Sequence, residues 1–148
     1  LPGMERDQTI DVAVAMDTSG SMSDEMARDI LSEVKGCMDQ YNDFRIHLFC
    51  FDTEVHNPQV FTEHNMDEFM EYEPGGGGGT DFECCWNYFK EEGIVPKKFI
   101  MFTDGYPWDS WGDESYCDTL FIVHGGGYGG QVPEAPFGIT VPYERDDK

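Results

Sequence analysis

Three apolar runs in this chain each stop at an aspartate. Residues 9–16 stop at Asp17, Phe44–Phe51 at Asp52, and residues 99–103 at Asp104. Runs this short, rich in β-branched and aromatic residues and bounded by turn formers, read as strands covered on both faces. Between the first two runs the period changes. Met26, Ile30, Val34, Cys37, Met38 and Tyr41 recur at three- and four-residue spacing, which predicts a helix over residues 23–41. Ser23 caps it, and Asp24 and Glu25 face its positive end. Further on, residues 59–62 read as a sheet edge and 67–72 as a short helix. Residues 81–92 form a helix with Phe82, Cys85, Trp86 and Phe89 on one face and Gly93 at its end. Residues 119–123 make a fourth strand and 139–141 a last short one, while 109–117 read as a polar loop or frayed helix and 124–130 as loop.

Strands alternating with helices predict right-handed crossovers and a mostly parallel sheet. The fold class is therefore α/β, in three layers, with helices on both faces. Nothing marks a linker or an internal repeat, so residues 1–148 read as a single domain, frayed over 1–8 and 143–148. The chain begins Leu1-Pro2-Gly3, which reads as a fragment of a longer protein or a trimmed chain.

Charge narrows the partners. The sequence has 30 acidic and 9 basic side chains, a formal net charge of −21. Phosphate is repelled by such a surface, so neither nucleic acid nor an anionic membrane is expected as a partner. No run approaches the roughly 18 apolar residues that a membrane span needs. The five cysteines, Cys37, Cys50, Cys84, Cys85 and Cys117, include no CxxC pair, which speaks against zinc-ribbon and thioredoxin chemistry. They point to a reduced protein of the cytoplasm, the host cytoplasm if the source is a phage, with Cys37 and Cys50 as core residues.

In parallel sheets ligands bind beyond the carboxyl ends of the strands, and that is where the oxygen-rich clusters fall: residues 17–21, 80–81 and 103–104. Asp17-Thr18-Ser19-Gly20-Ser21 puts a carboxylate and two hydroxyls on one turn. Thr80 adds a hydroxyl after Gly75 to Gly79, and Asp104 a second carboxylate. An all-oxygen set without imidazole or thiolate suits a hard divalent cation, magnesium or manganese, and disfavours zinc.

These residues resemble the metal-ion-dependent adhesion site of the von Willebrand factor A family: an Asp-x-Ser-x-Ser turn, a later Thr and a later Asp on three loops. Asp17, Ser19, Ser21, Thr80 and Asp104 match in order. The resemblance runs from Ile10 to about Val141. Phe51-Asp52-Thr53 and Thr103-Asp104-Gly105-Tyr106-Pro107 are similar, more narrowly, to the von Willebrand-like domain at the carboxyl end of bacterial and phage proteins with a putative metallopeptidase domain. The resemblance implies a Rossmann-like fold and a metal-dependent, non-catalytic, monomeric protein-binding module. It implies that Ser19 and Ser21 bind the metal directly, Thr80 in the ligand-competent state, and Asp17 and Asp104 through water or from behind. An acidic side chain from a protein partner, or from a neighbouring domain of the parent chain, fills the open position. Longer relatives carry a helix where this chain has glycines after Val123, which leaves one sheet face thin or covered from outside the chain.

Rival readings use the same residues. Residues 17–21 alone could be a turn that caps the following helix. The glycine run reads locally as a flexible linker; with no Lys-Ser or Lys-Thr after it, it is not a phosphate loop. A magnesium phosphatase with an aspartyl nucleophile wants a second aspartate where Ser19 stands and a later lysine that is missing. A hydrolase component, regulating or positioning a peptidase-like neighbour, is the other alternative; HExxH itself is absent. His47 reads as half-buried and structural, and His124 as a strand-end residue that could border the site. Asp52 and Asp81 read as capping groups or as groups behind the ligands. Trp108 and Trp111 are either a contact surface or a cover for the sheet edge.

Overall fold

The computed structural model describes residues 10–18, 24–39, 41, 43–73, 81–103, 111–113, 115–123 and 135–142. Six strands form one sheet: β1 Ile10–Asp17, β2 Phe44–Phe51, β3 Val55–Thr62, β4 Lys98–Thr103, β5 Asp118–Val123 and β6 Ile139–Pro142. Their order is β3-β2-β1-β4-β5-β6. All neighbours run parallel except β2 and β3. Helix α1 spans Asp24–Met38, helix α2 Glu83–Glu92, and a short 3-10 helix Met66–Glu71. The mostly parallel α/β sheet with helices on both faces is the architecture expected from the strand–helix alternation.

The period-two alternation of β1 sorts its side chains between two cores. Val12, Val14 and Met16 join Ile30, Leu31 and Val34 of α1, with Phe69 and Tyr72 from the 3-10 region. Ala13 and Ala15 face the other way, into a cluster with Phe82, Cys85, Trp86 and Phe89 of the α2 segment. The alanines matter because their neighbours are large. Ala15 pairs with Phe49 and Ala13 with Phe99. The two rings close over β1 and stack at 6.3 Å, and Phe99 takes Trp86 and Phe89 edge-on at 5.1 and 4.9 Å.

Several boundaries moved for local reasons. α1 ends at Met38, short of Tyr41, where a Tyr41 N–H to Met38 carbonyl bond of 3.0 Å closes the last turn. Its buried stripe is Ala27, Ile30, Leu31, Val34 and Met38. Cys37 falls off that stripe and is exposed, so only Cys50 of the two expected core cysteines is buried. Strand β3 starts four residues early and tolerates Pro58 because it is a sheet edge. α2 stops at Gly93, whose φ of 70° closes the helix; the N–H groups of Gly93 and Ile94 both donate to the Phe89 carbonyl.

Among the described residues the α2 face is covered, while on the α1 face Ile139 and Val141 of β6, in register with Leu120 and Ile122, stay exposed. Trp111, Tyr116 and Phe137 pack against the α2 cluster. Trp111 meets Phe82 at 5.4 Å and Phe121 at 5.2 Å, both edge-on, which settles Trp111 as a cover for the sheet. Gly112 lets the backbone lie directly on Trp86: a Cβ there would sit 2.1 Å from the indole. Trp108 lies outside the described residues.

Phe99 touches three other rings on the α2 face, so Phe99→Ala is expected to lower stability by about 3–5 kcal/mol. Cys37→Ser, on the exposed side of α1, should change it by no more than about 0.5 kcal/mol. Urea unfolding of both variants checks this; equal losses would contradict the placement of the two side chains.

Candidate metal centre

In this strand order the chain leaves β1 to one side and β4 to the other, so a crevice opens at their carboxyl ends. Asp17 ends β1 inside that crevice and is 2% exposed. Met16 pairs with Phe102, which sets Asp17 beside Thr103. Both side chains point to the α2 face, as Ala15 and Met101 do two residues earlier. The Thr103 hydroxyl donates to Asp17 Oδ2 at 2.6 Å. A buried carboxylate is costly without such donors, and Thr103 is itself fully buried. The sequence marked Thr103 as one more oxygen. Its role as the partner of Asp17 follows only from register.

Two other chain segments are tied to this rim. Thr18 donates from its N–H and from its hydroxyl to the Phe51 carbonyl, at 2.9 and 3.1 Å. The Asp81 N–H donates to the Asp52 carbonyl at 2.9 Å. Asp81 follows Thr80 directly in sequence, and its Oδ1 accepts the Glu83 N–H at 3.1 Å, capping α2. Asp52 is buried and accepts the Glu54 N–H at 3.0 Å and His56 Nε2 at 2.8 Å. Asp81 thus takes a capping role at α2, while Asp52 holds the turn between β2 and β3. Cys85, fully buried in the first turn of α2, lies within the field of both Asp17 and Asp81. Burial pushes its thiol up, and the Cys84 thiol and then these two carboxylates push it further.

Of the five residues assigned to the metal, Asp17 is placed at the switch crevice. Ser19, Ser21, Thr80 and Asp104 lie outside the described residues, as do Ser23, Asp24's side chain and His124. Among the described residues no three His, Cys, Asp or Glu side chains converge as a metal cluster. An all-oxygen donor set suits a hard cation, and Asp17, its one described member, is a buried carboxylate. His47 is half-buried, and burial lowers its pKa against the opposing pull of Asp11.

A family model for the VWA-like domain (DUF2201) matches residues 12–142. The chain belongs to that family. VWA-like domains are generally non-catalytic interaction modules. No curated protein matches the chain by sequence. Among solved structures it is similar to the conserved hypothetical protein BatB from Bacteroides thetaiotaomicron, with a TM-score of 0.63 and 14% identity over 93% of this chain and 91% of that one. That likeness shows the fold. No helix among the described residues is long and apolar enough to cross a membrane.

Thr103→Val keeps the shape and removes the hydroxyl from Asp17, so it should cost about 1–3 kcal/mol. Thr103→Ser keeps the donor and should avoid most of that loss; unfolding midpoints decide, and an unchanged Val variant would refute the pairing. A second expectation concerns alkali. The Cys85 and Cys117 thiols and the Tyr72 phenol are all pushed up by burial. Groups raised in the folded state contribute stability that is intact below their unfolded pKa and lost as pH rises through the folded one. Stability should therefore be flat to about pH 8.5 and fall above it. A urea midpoint that rises from pH 8 to pH 10 would contradict the burial of these groups.

Proposed function

We propose that the domain is a divalent-metal-dependent protein-binding module of the adhesion type. The observation that carries this reading is the buried Asp17 held by Thr103 at the switch crevice. In a doubly wound sheet that crevice is the ligand site, and it is where the family's metal turn begins. Ser19 and Ser21 would hold magnesium or manganese through their hydroxyls, with Thr80 joining them when a partner is bound. Asp17 and Asp104 would act from behind or through water. When bound, the cation supplies a Lewis-acidic position that keeps residual positive charge, because neutral hydroxyls provide most direct bonds. A partner carboxylate completes that position.

The chain's own groups do the rest. Thr103 orients Asp17, the Phe51 carbonyl holds Thr18, and the Asp52 carbonyl holds Asp81. The partner is a separate protein or a neighbouring domain of the same parent chain. A metallopeptidase-like domain of bacterial or phage origin, positioned by this one, is the narrower form of the proposal. The domain itself is taken as non-catalytic, monomeric and cytoplasmic. A charge of −21 repels acidic partners at long range, so attraction is local to the cation. Salt screens the repulsion over about 8 Å at physiological strength but barely weakens a coordinated carboxylate.

Calorimetry with magnesium and manganese should show one site in the full chain and at least about tenfold weaker binding in Asp17→Ala. Equal binding by the two proteins, or none by either, sinks the metal site. In a pull-down, partner capture should vanish with chelator and hold or rise with moderate salt. Capture that is indifferent to chelator would end the adhesion reading.

A further inference from the structure

We infer that Asp52 and His56 are positioning residues for the candidate metal centre, acting through the backbone at the end of β2. The inference rests on the metal-binding reading for its functional consequence, and on hydrogen bonds alone for its geometry. Two consecutive carbonyls, those of Phe51 and Asp52, each hold a segment next to an assigned ligand. Phe51 receives both donors of Thr18, which stands between Asp17 and Ser19. Asp52 receives the N–H of Asp81, which stands next to Thr80. One strand end therefore sets the spacing of two ligand-bearing segments that are far apart in sequence.

For the Asp52 carbonyl to serve Asp81, the chain must leave the β2 direction at once, and the Asp52 side chain makes it do so. Its Oδ1 takes the Glu54 N–H at 3.0 Å while the Asp52 N–H reaches the Glu54 carbonyl at 3.1 Å. The same Oδ1 takes His56 Nε2 at 2.8 Å. The aspartate side chain is 12% exposed and the imidazole bonded to it 36%. A buried carboxylate oxygen with two fixed donors has little freedom to rotate. The turn, and the carbonyl that carries Asp81, are fixed with it.

The test compares Asp52→Ala with Asp52→Asn, and His56→Ala with His56→Gln, in the full chain. Asn keeps an oxygen acceptor without charge, and Gln keeps a donor without an imidazole. The direct readout is amide hydrogen exchange at Asp81, followed by nuclear magnetic resonance without metal. Losing the clamp should speed that exchange about tenfold in Asp52→Ala, the scale of one lost hydrogen bond. Asp52→Asn should return it to within about threefold of the parent, since the acceptor remains. Magnesium affinity should follow the same order. A merely structural role would lower the melting temperature without separating Ala from Asn in Asp81 exchange. Unchanged exchange in Asp52→Ala, or failure of Asn to rescue, overturns the inference. Should Asp52→Ala not fold, the His56 pair at its partly exposed position makes the same comparison. If exchange responds as expected but the parent chain takes up no magnesium, the clamp stands and the metal reading falls.

Discussion

Strand β1 is hydrogen-bonded along both edges, to β2 and to β4, and buried on both faces. Most of the structure follows from that confinement. From Val12 onward the strand is buried and has no solvent face on which to place a polar residue, so the next charged group after Asp11 lies at its carboxyl end. There the sheet order reverses and leaves a crevice. The alanines of β1 add a second consequence. They make room for Phe49 and Phe99 to meet above the strand, and this aromatic contact seats α2. Helix α2 carries Cys85 into the field of Asp17, and Asp81 just before it donates to the Asp52 carbonyl.

The site rim is held by polar groups of modest individual strength but low exposure. Thr103 serves Asp17, and the end of β2 serves Thr18 and Asp81. Each of these bonds joins residues more than 25 positions apart in sequence, so the rim assembles only when the sheet does. Low local dielectric strengthens such bonds and penalises their loss. The acidity of the chain is compatible with such a rim, because cation attraction is long-ranged while the binding geometry is short-ranged.

Much was legible before any coordinates. The three apolar runs ending in aspartate specified three strands, since period and turn residues depend only on local chain geometry, and their alternation with helices implied a mostly parallel sheet. The helical face of Phe82, Cys85, Trp86 and Phe89 was readable for the same reason, and all four are buried. The resemblance to the von Willebrand A family rested on the spaced oxygen donors, and the match of a VWA-like family model to residues 12–142 shows the family. What stayed hidden was which of several nearly equal faces would be buried. Cys37 and Tyr41 fit a helical period yet lie off the stripe, while Ala27 and Leu31 lie on it. That choice belongs to the sheet against which the helix packs.

Tertiary structure alone decided three further matters. Trp111 became a cover for the sheet because Phe82 and Phe121 offered an aromatic surface that only the assembled strands create. Thr103 became the donor to Asp17 because register aligns β4 with β1. Asp52 became the pivot of the rim because the chain returns to it at Asp81, 29 positions later by number. Local sequence determines which segments can form and where polar groups end them, since those preferences act within a few residues. Which polar group meets which is a property of register and packing, and it exists only once the distant segments are brought together.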